Sequence, residues 1–110
     1  KIIVGHLGES LPFSLWRINQ ALSRAGNKSV PFRDIFCEHF HITTSGMNYW
    51  PQLKLTIDLM GIDKVMFAVD YPQEEHRPAV EAIDKAPMGK EDRAKFLYKN
   101  AERVFGIKST

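Results

Sequence analysis

An α/β fold built on parallel strands is what this sequence predicts, and three observations predict it. Short apolar runs at residues 1–6, about 39–45 and 64–69 recur at nearly even spacing, with helical patterns between them. The first and third runs are apolar enough to be buried on both faces, as parallel strands under crossover helices are. Both stop abruptly at an ionisable side chain, His6 and Asp70. In α/β folds the carboxyl ends of parallel strands are where chemistry is placed.

Each element has a local reason. Lys1-Ile2-Ile3-Val4-Gly5 reads as the first strand. Pro12 stands at a plausible helix start, Phe13, Trp16, Ala21 and Leu22 supply an apolar stripe, and Gly26-Asn27 ends that helix. A short helix from Pro31 to about Cys37 leads into the second strand, Phe40-His41-Ile42-Thr43-Thr44-Ser45, which Gly46 closes. Pro51 opens the next helix through Leu53, Ile57 and Met60, and Gly61 stops it. After the third strand, helices are predicted at about 75–85 and 90–105, the last closed by Gly106. There is no internal repeat, low-complexity segment or linker.

The chain has 110 residues, 44% of them hydrophobic and 25% charged, which predicts one globular unit over 1–110. A net charge of +2, with bases interleaved among acids as in Lys90-Glu91-Asp92-Arg93, argues against a nucleic-acid partner. No apolar run approaches the roughly 18 residues that span a membrane, and no signal peptide is visible. Cys37 is alone, so a reducing compartment, the cytoplasm, is expected. Lys1 already stands inside a strand, without an initiator Met. Three parallel strands leave two unpaired edges. Two architectures therefore stand: a small three-layer α/β domain, or the last part of a larger barrel. A barrel portion expressed alone is expected to associate or misfold.

Four residues could carry chemistry. His6 with Glu9 three residues on could set a carboxylate against one imidazole nitrogen, fixing the tautomer and raising the basicity of the other. Gly5 and Gly8 could let a ligand approach the backbone. The structural alternative makes Ser10 a helix cap with Glu9 satisfied nearby. Asp70 ends the apolar run Val65-Met66-Phe67-Ala68-Val69 and must meet a polar cleft or a partner. It could instead cap a turn through Tyr71-Pro72. Taken together, His6 and Asp70 on one sheet rim predict an acid/base pair or a metal site. Arg17 could clamp a carboxylate or phenolate through its planar fork, although a lone helical Arg is more often solvated. His39 and His41 share one face of the predicted second strand, a weak zinc signal, and His76 has no ligand partner at useful spacing. Cys37 reads as a small buried hydrophobe. No phosphate loop, serine nucleophile elbow or CxxC is present.

Five segments, in order, carry a resemblance. They are Gly5-His6-Leu7-Gly8-Glu9; Leu11-Pro12-Phe13 with Trp16-Arg17-Ile18; Phe40-His41-Ile42-Thr43-Thr44-Ser45-Gly46; Phe67-Ala68-Val69-Asp70-Tyr71-Pro72; and Asn100-Ala101-Glu102-Arg103. Over nearly the whole chain they resemble the decarboxylase branch of the amidohydrolase superfamily, which includes aminocarboxymuconate semialdehyde, γ-resorcylate and dihydroxybenzoate decarboxylases. The resemblance implies a metal-dependent (β/α)8 TIM barrel of which this chain supplies strands 6–8 and their helices. It implies a divalent metal, Zn or Mn, at the carboxyl-end rim. It also implies that Asp70 is a metal ligand and the proton donor, that His6 and Glu9 are catalytic, and that Arg17 binds substrate. The substrate would be an aromatic or enoic carboxylic acid such as a hydroxybenzoate. The parent protein would be a homo-oligomer, with no nucleic acid or membrane partner, and this portion alone would be inactive. Gln73 stands where relatives often carry an aromatic ring, and Met47-Asn48-Tyr49-Trp50 replaces their usual Asn-Phe. The alternatives are a metal-dependent hydrolase or hydratase of the same superfamily, and a non-catalytic α/β interaction module.

Overall fold

Three strands, β1 (Ile2–Val4), β2 (Phe40–Thr43) and β3 (Val65–Met66), form one parallel sheet in the order β1-β2-β3. The computed structural model describes residues 1–22 and 31–108. Ile2 stands opposite Phe40 and Val4 opposite Ile42; Ile42 in turn stands opposite Val65. That register lines up Val4, Ile42 and Val65 across the sheet, because side chains on a strand alternate between its faces.

The helices that connect the strands bury that row. Helix α1 (Leu11–Leu22) and helix α2 (Phe32–His39) link β1 to β2, and α3 (Trp50–Met60) links β2 to β3. Leu15 of α1, Phe36 of α2 and Leu53 of α3 join Ile42 and Val65 in one apolar core. Each is 2% exposed or less, so loss of any one removes most of a side chain's transfer energy, about 2–5 kcal/mol with the cavity it leaves. Phe36 also stacks on Phe40 with ring centres 4.6 Å apart. Pro51 sits in the first turn of α3, where a missing N–H costs nothing, and Gly61 (φ 90°) ends the helix as predicted.

After β3 come α4 (His76–Asp84) and one long helix made of α5 (Lys90–Ala94), a π-helical turn (Lys95–Lys99) and α6 (Asn100–Phe105). Gly106 takes the left-handed conformation that closes it, as predicted. Asn100 is fully buried and donates to the carbonyls of Ile62 (2.7 Å) and Val65 (2.9 Å), so the last helix grips the start of β3. Phe96 packs edge-on against Phe67.

The strands are shorter than their apolar runs. The first ends at Val4, and His6–Gly8 form a 3-10 turn. The third keeps ladder pairing only over Val65–Met66, although the run stays apolar to Val69. The first run is not buried on both faces as predicted, since Ile2 and Ile3 are 53% and 40% exposed. Phe13 and Trp16 of the predicted α1 stripe are exposed too. Strand length is set by the partner's hydrogen bonds. His39 is the last residue of α2, not a strand residue, so it shares no strand face with the buried His41. The predicted helix end at Gly26-Asn27 lies outside the described residues. Among the described residues, no helix is long and apolar enough to cross a membrane.

Candidate active site at the strand ends

The chain leaves β1 through an abrupt turn. His6 (φ 50°), Leu7 (φ 52°) and Glu9 (φ 57°) all adopt left-handed backbone, and so does Asp70 (φ 78°) beyond β3. Among the described residues these four are every non-glycine with positive φ. Each such residue costs on the order of 1–3 kcal/mol and persists only where its surroundings hold it. Backbone strain therefore gathers at the two strand ends and nowhere else in the described chain.

The turn's purpose is visible in the side chains. His6 Nδ1 lies 3.2 Å from Glu9 Oε1, and His6 Nε2 lies 3.3 Å from Asp70 Oδ2. The imidazole thus bridges two carboxylates that are 61 positions apart in sequence (70 − 9). A neutral ring can donate to only one of them, whereas an imidazolium donates to both. The hydrogen bond to Asp70 is the main cause of a raised His6 pKa, opposed by burial and reinforced by the charges of Glu9 and Asp70. The pair sits at an open rim, with about half of the His6 side chain and a third of the Asp70 side chain exposed.

Gly46 closes over this pair. It has φ 71°, and a Cβ there would lie 3.3 Å from His6 Cδ2 and 3.4 Å from Asp70 Oδ2. The sequence marks Gly46 as a strand stop; its contact with residues 40 and 24 positions away carries no local signal. Gly8 has a packing reason of its own. A Cβ on Gly8 would meet Ile42 and Pro12, so that glycine lets the turn pack on its own core, and Gly5 has ordinary room. Glu9 pairs with His6, and Ser10 stands just before α1, its carbonyl accepting from Ser14 N–H at 3.0 Å.

The other candidates stand apart. Arg17 is exposed on α1, where its recorded partner is Gln20 at 3.5 Å, and the structure does not join it to His6 or Asp70. His41 is buried with Nδ1 unpartnered, and burial holds its pKa below the usual imidazole value. Cys37 is half-buried, and burial pushes its thiol up, away from nucleophilic use. Among the described residues, no three His, Cys, Asp or Glu side chains converge in a way that could hold a metal ion. Asp70 is a hard oxygen donor of the kind manganese accepts, so it fits as one ligand of a set that these residues do not complete.

A parallel sheet with helices between its strands, and an ionisable rim at the strands' carboxyl ends, is the arrangement of a segment of an α/β barrel. The chain belongs to the amidohydrolase family, whose profile matches residues 1–107. It is 38% identical over 114 residues to the γ-resorcylate decarboxylase of Rhizobium sp. strain MTP-10005, covering 96% of this chain and 34% of that enzyme. The structure matches 5-carboxyvanillate decarboxylase from Sphingomonas paucimobilis with a TM-score of 0.92 at 35% identity, covering 98% of this chain and 34% of that one. It matches a dihydroxybenzoic acid decarboxylase from Polaromonas sp. JS666, solved with bound manganese and the inhibitor 2-nitroresorcinol, with a TM-score of 0.90 at 33% identity. That match covers 100% of this chain and 35% of that structure. The chain spans about a third of the length of the relatives it matches.

Proposed function

We propose that the protein carrying these residues is a manganese-dependent, non-oxidative decarboxylase of 2-hydroxybenzoate-type acids. The observation that carries this reading is the single imidazole held between Glu9 and Asp70 at the strand-end rim. Relatives named for hydroxybenzoate decarboxylation, one of them solved with manganese, support the substrate class and the metal.

The chemistry asks for a proton delivered to the ring carbon that bears the carboxylate. Protonated Asp70 gives that proton; the bond from ring carbon to carboxylate then breaks, its electron pair returns to the ring, and CO2 leaves. His6 returns a proton to Asp70 through Nε2 and, being half exposed, takes its own replacement from solvent. Glu9 accepts the Nδ1–H and fixes the ring's orientation, so that Nε2 faces Asp70. Asp70 would also be one ligand of the metal, which when bound draws negative charge from the substrate's carboxylate and phenolic oxygens. Arg17, about two helical turns into α1, is assigned to the substrate's anionic oxygens, for which it gives up its long contact with Gln20.

The test uses the complete gene product that contains this chain, loaded with manganese or, separately, with zinc. Incubated with 2,6-dihydroxybenzoate in D2O, it is expected to yield CO2 and resorcinol carrying one deuterium at the carbon that held the carboxylate. Hydrolysis of lactones or amides without CO2 release would replace this reading with a hydrolase. A metal-loaded protein inert toward both would support the interaction module.

A further inference from the structure

Asp70 stands four residues beyond the last ladder pair of β3, and it carries a left-handed backbone. Ladder hydrogen bonds therefore do not hold it in place. The segment that follows β2 does. Thr44 is fully buried, and its Oγ1 accepts from the Ala68 N–H and donates to the Ala68 carbonyl, both at 3.0 Å. One hydroxyl thus satisfies both backbone groups of one residue, as a facing strand would. Asn48 Nδ2 donates to the same carbonyl at 3.0 Å. Main-chain bonds flank this clamp: Thr44 N donates to Met66 O (3.1 Å) and Gly46 N donates to Val69 O (3.2 Å).

We propose that the Thr44 hydroxyl, assisted by the Asn48 amide, is a positioning device that fixes the carboxylate of Asp70 against His6 by clamping the Ala68 peptide. This rests on the reading of Asp70 as the proton donor. Thr44 touches neither Asp70 nor substrate; it acts through two residues of backbone. Its value follows from geometry. A backbone conformation that costs energy, as at Asp70, relaxes when its surroundings stop over-determining it. A displacement of about 1 Å at a reacting group can cost about a hundredfold in rate. The short β3 makes the clamp necessary, because strand pairing ends before the catalytic carboxylate is reached.

The test is a set of variants in the complete metal-loaded protein. Thr44→Val keeps shape and removes the hydroxyl, and it is expected to lower kcat about 10–100-fold while KM stays within about threefold. Thr44→Ser retains the hydroxyl and should restore kcat to within about threefold of wild type, although it loses some stability. The double variant Thr44→Val/Asp70→Asn should be no slower than Asp70→Asn alone, because the clamp acts through that carboxylate. A merely structural threonine would give additive losses, no kcat-specific effect, or both. If Thr44→Val does not fold, Asn48→Ala decides: kcat about 3–10-fold lower with KM unchanged supports the clamp, and unchanged kcat overturns it. A folded Thr44→Val with wild-type kcat would overturn the clamp while leaving the proton donor in place. Full turnover in Asp70→Asn would instead overturn the proposed function itself.

Discussion

Replacing Asn100 by alanine should loosen the strand that leads to Asp70, and its cost can be worked from the contacts. Asn100 is 0% exposed; its amide donates to Ile62 O at 2.7 Å and Val65 O at 2.9 Å, and its Oδ1 accepts from Arg103 at 3.3 Å. Each lost hydrogen bond is worth about 0.5–1.5 kcal/mol net, and a carbonyl left buried without a partner adds about 1–3 kcal/mol. Both acceptors lose this donor, but Ile62 O also accepts from Val65 N–H, so only part of the second penalty applies. About 3 kcal/mol is the expected loss, or a fall in Tm of about 12–24 °C for a chain of this size. Asn100→Asp should be worse still, because a carboxylate would face two carbonyl oxygens without a proton to share. Urea denaturation of both variants, with the slope compared to wild type, measures this directly. A change within about 0.5 kcal/mol for Asn100→Ala, the range of an ordinary surface substitution, would refute the grip of the last helix on β3.

Gly46→Ala should destabilise by about 1–2 kcal/mol from its left-handed backbone alone. It should also lower turnover, because its Cβ would crowd His6 Cδ2 at 3.3 Å and Asp70 Oδ2 at 3.4 Å; denaturation and initial rates read the two effects separately. The two perturbed histidines should act in separate pH windows. The His6 pKa is raised by Asp70 and Glu9, so its stabilisation is full below the unfolded value near 6.5 and fades as pH rises through the raised value. The His41 pKa is lowered by burial, so its contribution is full above about 6.5 and fades as pH falls toward the lowered value. Stability profiles between pH 5 and 9 should therefore lose their alkaline-side slope in His6→Gln and keep the acid-side slope. A His6→Gln profile parallel to wild type above pH 6.5 would contradict the bridge.

The order of elements and the convergence of His6 with Asp70 were legible because they depend on local patterns. Apolar runs mark strands, Gly61 and Gly106 mark helix ends, and the rule that parallel strands present their carboxyl ends on one rim does the rest. What escaped the sequence depends on partners far along the chain. The run to Val69 reads as strand, yet pairing stops at Met66, where Thr44 side-chain bonds replace the ladder. A threonine that imitates a strand and a glycine that accommodates a distant histidine have no signature in their own neighbourhoods. His39 was misplaced for a related reason: the chain passes from α2 into β2 without an intervening turn, so composition does not mark the boundary. Arg17 sits on the helix its pattern predicted, with Gln20 as its side-chain partner, and the substrate role proposed for it has no local signature.

The central claim is that Asp70 delivers the proton and His6 resupplies it. Single-turnover decarboxylation of 2,6-dihydroxybenzoate by the complete manganese-loaded protein tests it most directly, with Asp70→Asn compared to wild type and substrate binding measured alongside. Removal of the proton donor is expected to slow CO2 release by about a thousandfold or more while substrate still binds. Release within about threefold of wild type, in a variant that binds substrate and metal normally, would contradict the claim.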